Sequence, residues 1–351
     1  MRKTSRLAAA GIVAFTLLGA ACSTENPSND NNNNGGGGGG SVSGSFKVSG
    51  SSTVLPISNL VAEQFSADNP GVQVSVDGPG TTDGFVLFCK GETAINDASR
   101  QIEDEEVAAC DKGGIDYVEL AIAYDGITVM TGKGNDAVDC LSKADLYALI
   151  GPESEGFDNW SDANDLDKEL GGDGNFPNVP LDLVGPGQES GTWGSFIDLA
   201  LKDIAESRKA PDDTTRTDYQ SSGNDNVIIQ GVEGSDSSLG WVGFAYAEEN
   251  ASNLKILGVS PAEDASGEGS SDCVTPSADT IIDQSYPLSR TLYIYVNTQM
   301  AADNEAVKSF VDFYMSDAGT SDAVQQAGYV KLPDDKIQES QQQWSDTESG
   351  M

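Results

Sequence analysis

The residues whose types and spacing could do chemistry are Ser190, Gly191 and Thr192, in the run Gln188-Glu189-Ser190-Gly191-Thr192-Trp193-Gly194-Ser195-Phe196. A strand-like stretch, Leu181–Val184, and the turn Gly185-Pro186-Gly187 precede it. A helix-like stretch with an apolar face, Trp193–Ala205, follows. Unpaired N–H groups and the positive end of the macrodipole make such a strand-to-helix junction a place for an anion. The hydroxyls add donors, and glycine lets a ligand approach the backbone. Alone, this pattern reads first as an ordinary Ser N-cap. Two further junctions share the design: Gly50-Ser51-Ser52-Thr53-Val54 before the helical Ile57–Phe65, and Gly78-Pro79-Gly80-Thr81-Thr82-Asp83-Gly84 after the strand Val72–Val76. Three such junctions read together as one anion pocket.

The elements that must position these loops alternate. Strand-like runs fall at Ser45–Val48, Val72–Val76, Tyr117–Ala123, Ile127–Thr131, Leu181–Val184, Leu239–Val242, Leu254–Leu257 and Leu292–Val296. Helical periodicity marks Ile57–Phe65, Glu103–Ala109, Ser142–Ile150, Trp193–Ala205, Asn224–Gly231 and Asn304–Tyr314. Alternation of this kind predicts an α/β fold with largely parallel sheets. Ile115–Thr131 reads as nearly continuous β broken at Asp125-Gly126, and Tyr286–Val296 as its return, so two lobes joined by paired crossovers are expected. The assignment is lobe 1 at 44–124 plus 292–345 and lobe 2 at 125–291. The acid-rich stretches Glu153–Glu169 and Ala262–Asp272 are expected to be exposed loops.

The 351 residues carry a formal net charge of −37, which argues against nucleic acid and against an anionic membrane surface as partner. Histidine is absent, which removes Ser-His-Asp and Cys-His machinery and His-based metal sites. Ser190 also misses the G-x-S-x-G elbow spacing by one residue. No catalytic residue, metal or cofactor is assigned. An exported carboxylate-dependent phosphoesterase would need a metal cluster or an activated nucleophile, and neither stands at a recognisable spacing.

Basic residues followed by the apolar run Leu7–Ala21 read as a signal peptide over 1–21, the run being short for a bilayer span. Leu18-Gly19-Ala20-Ala21-Cys22 resembles a bacterial lipobox, with Cys22 acylated; the alternative is a plain signal with an incidental cysteine. An Asn-rich segment and six consecutive glycines complete a flexible tether over 22–43. Cys89, Cys110, Cys140 and Cys273 remain, an even count that points to disulfides in an exported chain. Of three pairings, Cys89–Cys110 with Cys140–Cys273 is favoured because the first pair lies within one lobe. A zinc site has no C-x-x-C spacing behind it.

Gly50-Ser51-Ser52-Thr53-Val54, Gly91–Arg100, Gly185–Thr192, Asp225–Val232, Leu239–Tyr246 and Tyr286-Pro287-Leu288-Ser289-Arg290 follow one another over about Ser45–Pro333. Six motifs in this order resemble the PstS family, the phosphate-binding receptors of Pst ABC importers. The resemblance implies a two-lobed type II periplasmic-binding-protein fold whose mixed, mainly parallel sheets are joined by a two-crossover hinge. It implies inorganic phosphate held between closing lobes, ABC permease subunits as partners, a monomer and an extracytoplasmic, lipid-anchored location. Sulfate or molybdate as ligand, and sensing without transport, are the alternatives. Carried over residue by residue, the ligand set is Ser52, Thr53 and the Val54 N–H, then Thr81, then Ser190, Gly191 and Thr192. One branch of the family has an Arg four residues before the Ser of S-G-T and an Asp after A-S. Here those places hold Pro186 and Arg100, so the resemblance makes Arg100 the candidate bidentate contact. Distinguishing protonated phosphate from sulfate needs a carboxylate acceptor, for which Asp97, Asp83 and Asp125 are the candidates in that order.

Overall fold

Two long strands carry the architecture. In the computed structural model, which describes residues 42–188, 190–260 and 273–351, the expected breaks and returns can be followed strand by strand. The signal segment, Cys22 and nearly all of the tether lie outside the described residues, as does the acidic stretch at 262–272.

β1 (Ser43–Gly50) pairs in parallel with β2 (Gly71–Asp77) on one side and β3 (Ile95–Ala98) on the other. β4 (Tyr117–Gly132) is sixteen residues long and runs through Asp125-Gly126 without a break. The Asp-Gly pair is a turn signal, but Ser289 and Arg290 pair with Gly126 and Asp125, and that pairing keeps the strand extended. The remaining strands are β5 (Cys140–Leu141), β6 (Asp182–Gly185), β7 (Gln220–Ser221), β8 (Ser238–Gly243), β9 (Leu254–Ile256), β10 (Gly258–Val259) and β11 (Ser289–Asn297). The main sheet has the order β2-β1-β3-β11-β4-β8-β6-β7, with β9 also on β4 and a separate parallel pair of β5 with β10. Its outer strands are parallel, whereas β11 is antiparallel to β3 and β4, and β4 is antiparallel to β8 and β9.

Of four hydrophobic clusters among the described residues, the two largest flank these crossing strands. One gathers Val48, Ile57, Val61, Phe65, Ile95, Ile294 and Phe310; the other gathers Leu146, Tyr147, Trp160, Leu183, Phe196 and Trp241. They part between Ala123 and Tyr124 on β4 and between Leu288 and Leu292 near the start of β11. In the helix α1 (Leu55–Asp68), Ile57, Val61 and Phe65 recur every four residues and are buried. Each such side chain contributes about 1.5–3 kcal/mol on burial. The helix α3 (Asp104–Gly113) opens with a reciprocal Glu103/Glu106 capping box and closes on Gly114 at φ +67°. Cys89–Cys110 ties it to the end of α2 (Thr81–Phe88), and Cys140–Cys273 forms the second disulfide.

Glu153–Glu169 is not the exposed loop expected of its composition. It forms short helical turns at Pro152–Ser154, Trp160–Ala163 and Asn164–Glu169, and buries Trp160, Ala163 and Leu166. A few apolar anchors outweigh the acidic average, and the Trp160 indole N–H is bonded to the Ser237 carbonyl at 2.8 Å.

Candidate functional site

Each Gly- and hydroxyl-rich junction is built by a strand that stops and a helix that starts, and the second and third both pack against the first. At the first, the Ser51 N–H donates to the Asp97 carbonyl at 2.8 Å, which ties the loop after β1 to β3. Gly50 has φ +145°, and a side-chain carbon there would stand 2.1 Å from that same carbonyl oxygen, so only glycine fits. At the second junction the Gly80 N–H donates to the Gly50 carbonyl at 2.8 Å, bringing Thr81 at the start of α2 beside the first loop. The Thr81 hydroxyl lies 3.1 Å from the Ser99 hydroxyl and accepts from the Ser99 N–H at 3.2 Å.

At the third junction Ser190 caps the helix Gly191–Phe196, its hydroxyl accepting from the Thr192 N–H at 3.2 Å. A side-chain carbon on Gly191 would stand 3.1 Å from the Ser52 carbonyl and 3.5 Å from Thr53 Cα, so this loop packs directly on the first. The Thr53 and Ser195 hydroxyls meet at 2.8 Å, and Tyr329 donates to the Thr53 carbonyl at 2.7 Å. Beside the junctions opens a cavity of about 880 Å³ whose wall includes Ser52, Thr81, Asp83, Ser99, Arg100, Trp193, Gly194 and Arg290.

Of the residues expected from the sequence, Ser52, Thr81, Asp83 and Arg100 thus line the cavity; Thr53 and Val54 are buried, Gly191 packs on Ser52, and Ser190 and Thr192 precede Trp193 and Gly194, through which the third junction reaches the wall. Arg100 is held by acids. Its Nη1 and Nη2 donate to the two oxygens of Glu106 at 2.8 Å each, and its Nε lies 3.1 Å from Glu103. The hydrogen bond to Glu106 raises its pKa, against the opposing effect of burial.

Arg100 Nη2 also donates to the Thr82 hydroxyl of the second junction at 2.9 Å, while the arginine that bonds to hydroxyls of the first and third junctions is Arg290. Its Nη2 donates to Thr53 Oγ1 at 2.9 Å and to Ser195 Oγ at 2.8 Å, while Nε faces Asp125 at 3.4 Å and Nη1 faces Asp198 at 3.2 Å. The ligand loops taken alone offer Arg100 as their cation and leave Arg290 out. The signal was present, because Arg290 ends the Tyr286–Arg290 motif and falls opposite Asp125 once β11 returns along β4.

The three candidate acceptors occupy different surroundings. Asp97 accepts from the Ser58 hydroxyl at 2.9 Å inside the first core, with its other oxygen unpartnered, and burial pushes its carboxyl up to about 8. Asp97 is fully buried and is not part of the cavity wall. Burial also raises Asp125, while Arg290 and the Ser195 hydroxyl pull it down. Asp83 stands exposed in the first turn of α2, on the cavity wall. The wall also carries many acids, among them Asp198, Asp203, Glu206, Asp212 and Asp213. An anion is therefore attracted by the amides, hydroxyls and guanidinium groups of the junctions, against the charge of these acids.

This arrangement can surround a tetrahedral oxyanion with donors. Among the described residues, no group of three or more His, Cys, Asp or Glu side chains could hold a metal ion, and no helix is long and apolar enough to cross a membrane.

A family model described as a PBP superfamily domain matches residues 36–318. Protein SphX of Synechocystis sp. is 36% identical over 327 residues, 93% of this chain and 86% of that protein. The phosphate-binding protein PstS of Staphylococcus saprophyticus is 35% identical over 305 residues, 86% of this chain and 85% of that protein. The crystal structure of "a possible phosphate binding protein" from Planctomyces limnophilus superposes with a TM-score of 0.75 at 35% identity, covering 88% of this chain and 99% of the other. With its junctions, crossing strands and match along most of its length, the chain belongs to the PBP superfamily and has the two-lobed, mixed α/β fold of the periplasmic binding proteins.

Proposed function

We propose that this protein is an extracytoplasmic receptor that binds inorganic phosphate between two lobes and delivers it to an ABC importer, performing no chemistry itself. One observation carries the reading: three helix-opening junctions from distant parts of the chain meet at one cavity that also holds two arginines. The printed names of the relatives, phosphate-binding protein PstS and possible phosphate binding protein, point the same way. The lobes are 44–124 with 292–345, and 125–291; the division of the two cores on β4 and before β11 supports this. Ligand contacts to both lobes would favour closure.

The ligand set is Ser52, Thr53, the Val54 N–H, Thr81, Arg100, Ser190, Gly191 and Thr192, to which the cavity wall adds Arg290. Asp83 is the acceptor that position favours. Acylated Cys22 anchors a monomer to the cell membrane through the glycine tether, within reach of the permease.

The test is calorimetric titration of the mature domain, stripped of carried-over phosphate, against phosphate, arsenate and sulfate. Phosphate and arsenate should bind and compete, and Thr192→Ala should weaken phosphate by about 1–2 kcal/mol through loss of a hydroxyl donor. Sulfate displacing phosphate at comparable concentration would overturn the phosphate assignment.

A further inference from the structure

Arg290 divides its donors between two unlike acids. Asp125, which faces Nε, has a side chain 5% exposed, and Asp198, which faces Nη1 at 3.2 Å, has one 46% exposed. The Nη2 donors are bonded to Thr53 and Ser195 from opposite halves of the sequence, so the inner edge of the guanidinium is fixed. Its outer edge belongs to the cavity, where both Arg290 and Asp198 are part of the wall. Asp198 lies on the π-helical turn Ile197–Leu201, directly after the helix that Ser190 caps, and such turns are frequent at functional sites.

We propose that Asp198 is a placeholder anion. It occupies the Nη1 edge of Arg290 when no oxyanion does, and it is displaced when one binds, so that it sets affinity and speeds release. The physical grounds are an asymmetry of cost. A half-exposed carboxylate leaves a guanidinium cheaply, because water re-solvates it, whereas the buried Asp125 cannot do so. An oxyanion oxygen bonded to the same edge would then stand beside a like charge, which lowers its affinity. This inference rests on the phosphate-receptor reading of the same cavity.

The experiment is phosphate calorimetry and stopped-flow dissociation on the mature domain, comparing wild type with Asp198→Asn and Asp203→Asn. Asp203 is a second acid of the cavity wall, so its variant removes the same charge without touching the Arg290 contact. Asp198→Asn should tighten phosphate by about tenfold, mostly by slower dissociation, while Asp203→Asn should change it by less than about twofold. Unchanged or weaker binding in Asp198→Asn, or equal tightening in both variants, overturns the placeholder while wild-type binding leaves the receptor reading standing. Absence of phosphate binding in wild type overturns both.

Discussion

Replacing Arg290 by alanine would test the packing of the cavity wall more sharply than any loop substitution. The side chain is 13% exposed and its Nε faces the 5% exposed Asp125 carboxylate at 3.4 Å. Deleting one partner of a buried pair costs about 3–5 kcal/mol, because the remaining charge is stranded. The 3.4 Å separation places this pair at the lower end, so Arg290→Ala should lose about 3 kcal/mol of stability. The hydroxyls of Thr53 and Ser195 retain each other at 2.8 Å and add little to the loss. Burial already raises the Asp125 carboxyl, with Arg290 the leading influence that lowers it. Without Arg290 the carboxyl can escape its penalty only by taking a proton. The destabilisation should therefore be smaller at pH 5 than at pH 8. Arg290→Ala combined with Asp125→Asn leaves no stranded charge and should recover about 2 kcal/mol of stability. Phosphate binding should not recover, since both variants lack the guanidinium and are expected to bind about 100-fold more weakly. Urea unfolding at the two pH values, with calorimetry alongside, reads all of this. An Arg290→Ala protein within about 1 kcal/mol of wild type, or a double variant no more stable than the single one, would refute the reasoning.

Asp97 supplies a pH signature of opposite origin. Its folded-state carboxyl lies at about 8 against an ordinary 3.8, so the native chain binds the extra proton between those values. Its contribution to stability is complete below about pH 4 and is lost as pH rises towards 8. Asp97→Asn should flatten that part of the wild-type slope in urea unfolding at pH 5 and pH 8, and an unchanged slope would place the titration elsewhere. The disulfides should differ in weight. Cys140–Cys273 closes a separation of 133 residues and Cys89–Cys110 one of 21. Loop-closure entropy then assigns about 5 kcal/mol to the first and about 3 kcal/mol to the second. Paired Cys→Ala variants in thermal unfolding would show the reverse order if local packing governs instead.

What the sequence made legible was the local chemistry. Pro56 with Ile57, Val61 and Phe65 announces α1, and glycine next to Ser or Thr announces the junctions that α1 and α2 begin. What it hid was pairing at a distance. Asp125 and Arg290 are 165 residues apart and become neighbours only through the antiparallel register of β4 and β11. Reading Asp125-Gly126 as a break concealed that register, and so concealed the arginine. The helix Asp334–Gly350 was hidden for a related reason. Its buried face is Ile337, Ser340 and Trp344, two apolar residues among Gln, Ser, Asp and Glu, too sparse for a periodicity argument. It is held in place by surfaces formed elsewhere, with the Ser340 hydroxyl on the Ala121 carbonyl at 2.9 Å and the Trp344 indole N–H on Asp312 at 2.7 Å. Ile337 enters one core and Trp344 the other, so a segment almost silent in composition joins both. A binding loop can be recognised from its own few residues because its donors are its own backbone and hydroxyls. A guanidinium aimed at that loop cannot, because its direction is decided by the strand that carries it and by the acid that faces it.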